Sequence, residues 1–300
     1  MRILKTLFLS YHLPRDSPLT FPSTFTCISV VPIATSIAKD LDGVNADSSS
    51  TALLVTIWEL GEAVGPLLIA PLSEIYGRYP TMNACNIMFI FTTLLAAVSN
   101  STALFIAARA LTGIAVASNV LNPAIIGDMF ESDQRGSAMS LVMLAPLIGG
   151  AVGPAISGAI AETLGWREVL FIAIGLAIAC EILFLICFRE TYKMTILRHR
   201  IANFQKETGQ YHVHPNNDHK NLRKLLHSVT RPANVLWNSL VLLLLSFFGS
   251  VAFSYFYVMS ISLPEILYDV YGFSPALTGT AFMSFSKYTD AMNVVFCILC

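Results

Sequence analysis

Four ionisable residues interrupt stretches of sequence that are otherwise apolar: Glu59 and Glu62 in WELGEAVG, Arg109 in RALTG, and Glu181 in ACEILF. A charge held in hydrocarbon costs at least about 2.5 kcal/mol and persists where it faces a cavity or a partner. A carboxylate in such a place can take up and release protons, whereas a guanidinium keeps its proton and needs an acceptor at all times. Glu59 and Glu62 are three residues apart and share one helical face; Arg109 has Gly113 one turn later. Two readings stay open for the glutamates, a structural pairing with a cation of another helix and a part in binding substrate or protons. For Arg109 the permanent charge favours function. Other chemistry is poorly served. Every His lies in the N-terminal tail or in one polar loop, with no Ser-His-Asp order and no phosphate-binding glycine loop, so an enzyme is disfavoured. His212, His214 and His219 have no nearby Cys and no i, i+4 pairing, and read as a solvated loop rather than a metal site.

The elements that must position these residues are membrane-spanning helices. The 300 residues are 55% hydrophobic and only 12% charged, which nearly excludes a single soluble domain. The formal net charge of −1 offers no basic excess for nucleic acid. Runs of about 20 apolar residues, enough to cross a bilayer, fall near 19–38, 51–73, 81–99, 102–126, 137–161, 168–188 and 235–262. A possible eighth begins near Pro275 and carries Lys287 and Asp290, an i, i+3 pair, inside it. Arg2 and Lys5 precede an apolar stretch that stops at Ser10 with no small-residue cleavage site, so a signal peptide is not expected.

Placement of the 18 Lys and Arg residues sets the topology. With the N-terminus inside, only Lys39 and Arg167 fall outside, while Arg109 and Lys287 fall in spans; all others are cytoplasmic. The expectation is an all-α membrane protein with a six-helix bundle over 1–188, a cytoplasmic basic loop over 189–234 and the incomplete start of a second transmembrane half over 235–300. Met194, Ile196, Leu197, Ile201 and Phe204 give the loop's first part the pattern of an amphipathic helix on the inner membrane face. The six Cys form no disulfide framework and read as packing residues. Asn100-Ser101-Thr102 matches a glycosylation acceptor, in a connection too short to leave the membrane surface.

Several motifs then point one way. APLSEIYGRYP, Ala70 to Pro80, has an acidic residue three before Gly-Arg; RALTG runs from Arg109 to Gly113; GGAVGPAISG runs from Gly149 to Gly158. GDMF with the following Arg135-Gly136, GWRE at Gly165, RETY at Arg189 and LPEILYDVYGF at Leu263 complete the set. Together they resemble the major facilitator superfamily, and within it the twelve-span fungal drug:proton antiporters, over about Pro32 to Gly279. The resemblance implies that fold, here as its first six-helix half plus one or two helices of the second. It implies export of small apolar or amphipathic compounds in exchange for protons, no cofactor, and a multi-pass protein of the plasma membrane.

Residue by residue, the resemblance implies a cytoplasmic latch at Glu74, Gly77 and Arg78 with Asp128 and Arg135. It places proton coupling at Arg109 and Gly113, for which Glu59 and Glu62 are the acidic candidates. Gly149, Gly150, Gly153, Pro154 and Gly158 correspond to an antiporter helix motif that prevents leak. On physical grounds alone, that helix presents a small-residue face to a neighbour and is bent by Pro146 and Pro154. Tyr79 stands where the superfamily usually has a second basic residue, which removes one charged contact from the latch. The alternative to a working transporter is a non-transporting remnant that self-associates.

Overall fold

Within hydrocarbon, a backbone must satisfy its own hydrogen bonds, and apolar runs of this length do so as helices. The structure, a computed structural model, describes residues 20–42, 48–188, 190–192, 194–197, 201, 234–274 and 276–281. The N-terminal tail, nearly all of the polar loop and the segment containing Lys287, Asp290 and the terminal cysteines lie outside the described residues.

The first crossing is α1 (Thr20–Ser29), a single 3-10 turn at Val31–Ile33 that contains Pro32, and α2 (Ala34–Asp42). The second is α3 (Ser48–Tyr76), and the third is α4 (Arg78–Ala97). The fourth is α5 (Thr102–Val116), a 3-10 turn at Ala117–Val120 and α6 (Leu121–Met129). The fifth is α7 (Ser132–Thr163), the sixth α8 (Trp166–Cys187) and the seventh α9 (Leu240–Asp269). Among the described residues, seven helical segments are long and apolar enough to cross a membrane.

Local chemistry moves several boundaries from where hydropathy alone puts them. Gly77 has φ 109°, a left-handed conformation that only glycine adopts without strain, so α3 and α4 turn over one residue and α4 begins at Arg78 rather than near 81. Ser239 is extended, and its Oγ accepts from the Leu242 amide at 3.4 Å. That cap starts α9 five residues later than the apolar run suggests, leaving 234–238 as a separate helical turn. α9 then continues to Asp269, past the expected end near 262.

α3 packs along α5, α1 along α7, and α4 against both α5 and α8. One core unites Val30, Ile33, Ile37, Leu54, Phe105, Val169 and Leu170, with Phe105 edge-on to Trp166 at 5.8 Å. At the end near Trp166, Asp40 accepts from Trp166 Nε1 at 3.0 Å and from Arg167 at 2.8 Å. Lys39 and Arg167, the two cations expected outside, therefore share one end of the bundle. Arg78 lies at the other. α9 meets the bundle through Ile261 and Leu263, which pack on Val31, Ala34 and Val55, while most of its apolar side chains remain exposed, as a helix apolar all round does in lipid.

Candidate functional site

Among the described residues Arg109 is the largest fully buried side chain, 1% exposed, and its position follows from a break in the first crossing. α1 stops at Ser29, and the last four carbonyls of a helix have no partner within it. Two of these belong to Thr26 and Cys27, and they accept from the Arg109 guanidinium at 3.4 and 3.2 Å. The cation caps the negative end of the helix dipole inside the bundle. Its Nε has no hydrogen-bond partner.

Across from Arg109, α3 supplies Glu59, which carries a sealed, unpartnered Oε1. Tyr257 of α9 donates its hydroxyl to Glu59, and Glu59 and Arg109 lie within each other's field. Glu62, three residues on, shares the field of Glu59, and the charges of all three reach Cys27. The two glutamates and the arginine thus fall in one polar cluster, joined by a tyrosine that the sequence does not single out. Glu59 makes no direct ion pair with Arg109; the described ion pairs are Arg78 with Asp128 and Arg167 with Asp40. A permanent cation already held by carbonyls, next to one carboxyl group held by a hydroxyl, is an arrangement in which a proton can come and go without leaving the cation unpaired.

Gly113 does not enter this polar cluster. It lies where α5 crosses α3, and a Cβ there would run into the Trp58 carbonyl. Gly61 and Gly65 of α3 face α5 in the same way, against the Ala110 carbonyl and the Ala117 side chain. These three glycines let the backbones approach and so bring Glu59 to Arg109.

A second polar cluster closes the opposite end. Arg78 pairs with Asp128 at 3.4 Å, donates to Ser73 Oγ and lies over the Tyr192 ring at 5.0 Å. Glu190 accepts from the amides of Arg78 at 3.0 Å and Tyr79 at 3.2 Å, so its carboxylate caps the N-terminus of α4. A side chain at Gly77 would strike that carboxylate. Arg135 donates to the carbonyls of Gly127 at 2.9 Å and Phe130 at 3.1 Å, closing the end of α6. Glu74 is exposed, and Glu190 is the acidic residue brought to Gly77. Glu190 marks itself in sequence only as part of RETY. Glu190→Ala is expected to cost about 1–2 kcal/mol through loss of the cap, read as a lowered thermal unfolding midpoint that Glu190→Gln partly restores.

The small-residue face of α7 receives α1. Gly149, Gly150, Gly153, Pro154 and Gly158 are buried, with Gly150 against Ile28 and Gly153 against Phe25. Gly279, in the helical turn at 276–281, sits on the Pro154 carbonyl, and the Ala276 amide donates to Glu162 at 3.3 Å. The face predicted from the glycines therefore meets helices on two sides.

Membrane-length helices carrying an arginine and carboxyl groups where several crossings meet define a polytopic integral membrane protein. The family model described as Major Facilitator Superfamily matches residues 17–288, and the chain belongs to that superfamily. Among curated proteins it is 32% identical over 278 residues to MFS transporter fsa7 of Fusarium sp. (strain FN080326), covering 91% of this chain and 54% of that protein. It is 31% identical over 271 residues to efflux pump radE of Floropilus chiversii, covering 89% and 50%. The chain spans about half the length of these relatives, which are transporters and not enzymes. Solved structures share the fold: the xylose transporter XylE from E. coli superposes with TM-score 0.65 at 16% identity, covering 96% of this chain and 70% of that one. The human organic anion transporter MFSD10 gives 0.60 at 16% identity, covering 91% and 69%.

Proposed function

We propose that this chain supplies the first six-helix bundle, over 1–188, and the start of the second half, from 235, of a proton-coupled antiporter. In this reading it exports small apolar or amphipathic compounds from the cytoplasm across the plasma membrane, with the Arg78 end and the 189–234 loop facing inward. The observation that carries it is the buried Arg109, held by the Thr26 and Cys27 carbonyls beside Glu59, Glu62 and Tyr257. Glu59 and Glu62 bind the transported proton, and Arg109 governs whether their negative charge is tolerated. Release of Glu59 by Tyr257 couples that event to movement of α9 against the first bundle, as alternating access between two halves requires. A curated relative named as an efflux pump supports the export direction.

The test joins this chain to the part of MFS transporter fsa7 beyond the matched region and reconstitutes the fusion in liposomes. An imposed pH gradient is expected to drive an apolar dye. Dye movement that is unchanged when the gradient is collapsed overturns proton coupling.

A further inference from the structure

Glu181 belongs to neither polar cluster. It lies on α8, 6% exposed, facing Asn86 of α4, 2% exposed, and the Asn86 Nδ2 donates to Glu181 Oε2 at 2.6 Å. Glu181 Oε1 is sealed from solvent and has no hydrogen-bond partner. Glu181 is six residues before the end of α8 and Asn86 eight residues into α4, which places the pair about 9–12 Å inside the Arg78 end of the bundle at about 1.5 Å per residue. Between the pair and that end stands a stack of rings, Tyr79 on Phe184 at 5.7 Å and Phe184 on Phe188 at 4.6 Å.

The surroundings decide the charge state. α8 packs against α1, α4 and α7. The described cations on these elements and on α8 itself are Arg78, Arg135 and Arg167, all at helix ends. Arg78 is held by Asp128 and Ser73, Arg135 by the Gly127 and Phe130 carbonyls, and Arg167 by Asp40. Arg109 of α5 is turned to the α1 carbonyls. The other described titratable groups on the packed elements are Cys27, Tyr79, Cys85, Asp133, Glu162, Glu168 and Cys180, none of them a cation. An ionised carboxylate with one amide donor and no counter-charge in a dry interior is too costly to persist. A carboxylic acid beside a carboxamide, by contrast, can form two reciprocal hydrogen bonds, N–H to C=O and O–H to C=O.

We propose that Glu181 is a second proton-holding site, separate from Glu59 and Glu62, kept as the neutral acid against Asn86 and closed from the Arg78 end by the Tyr79–Phe184–Phe188 stack. The proton comes from water and resides on Oε1, the oxygen without a partner, while Asn86 Nδ2 donates to Oε2. Exchange of that proton with solvent requires α8 to part from α4 at the ring stack. This inference does not depend on transport or on Arg109, and its failure leaves the proposed function untouched.

Infrared spectroscopy of the full chain in lipid nanodiscs at neutral pH tests it. The parent is expected to show a protonated-carboxyl C=O band that disappears in Glu181→Gln and moves to higher frequency in Asn86→Leu, which removes the hydrogen bond. On transfer to heavy water the band is expected to shift slowly in the parent and at least tenfold faster in Tyr79→Ala. Gln is isosteric with the neutral acid and still accepts from Asn86, so Glu181→Gln should unfold at the parent temperature. A parent and Gln variant with the same acid band, or a Gln variant that loses a carboxylate band or fails to fold, overturns the neutral acid. Equal exchange rates in the parent and Tyr79→Ala overturn the ring closure.

Discussion

Arg109→Ala is expected to abolish pH-driven dye movement in the fused transporter and to lower the stability of the bundle by several kcal/mol. The stability effect follows from what the guanidinium does locally. It donates to the Thr26 and Cys27 carbonyls at the end of α1, the first of which also accepts from Ser29 Oγ at 3.4 Å. Hydrogen bonds from a charged group contribute about 1.5–3 kcal/mol each, and removing the donor forfeits both. Arg109→Lys keeps the charge but loses the planar fork that reaches two carbonyls at once, so it should recover part of the stability and little of the transport. Thermal unfolding and dye flux measured on the same preparations separate the two roles. An Ala variant that is destabilised but still moves dye with the pH gradient confines Arg109 to capping α1, and one that also unfolds at the parent temperature overturns both roles.

Much of this arrangement was legible in the sequence, and the illegible part has a common physical cause. Apolar runs fix where crossings fall, and an arginine inside one announces that an acceptor exists. Which acceptor cannot be read, because the carbonyls of Thr26 and Cys27 belong to the backbone and carry no mark of residue type. Their freedom comes from the break between α1 and Pro32, a change in helix type that hydropathy does not register. Tyr257 was hidden for a different reason: in FSYFYVMS it is one ring among several, and only the approach of α9 to α3 selects it. At the other end, the carboxylate nearest Arg78 in sequence, Glu74, faces away from it, since a helix turns that side chain outward. Asp128 and Glu190 arrive there from distant parts of the chain. Ser239 shows the same limit at a boundary, where one hydroxyl sets the start of α9 within a run that is apolar on both sides.

The second large effect is expected at Gly113, where a single methyl group should do more damage than most changes of charge. α5 crosses α3 so closely at this point that an added Cβ meets the Trp58 carbonyl and main chain rather than a side chain that can rotate away. Overpacking against yielding side chains costs about 1–3 kcal/mol, and a rigid backbone places Gly113→Ala at or above the upper end of that range. The helices must separate to accept the methyl, and separation removes Glu59 from the field of Arg109, so dye transport should fall together with stability. Helix propensity works in the opposite direction, because glycine in a helix interior is about 0.5–1 kcal/mol less favourable than alanine. Gly175 isolates that term: it lies in α8 with nothing within 4 Å of an added Cβ, so Gly175→Ala should be neutral or slightly stabilising. Thermal unfolding of the two variants, prepared side by side in the same detergent, should therefore move in opposite directions. If Gly113→Ala unfolds at or above the parent temperature, the α3–α5 crossing is looser than the glycines require, and the approach of Glu59 to Arg109 must be maintained by other contacts.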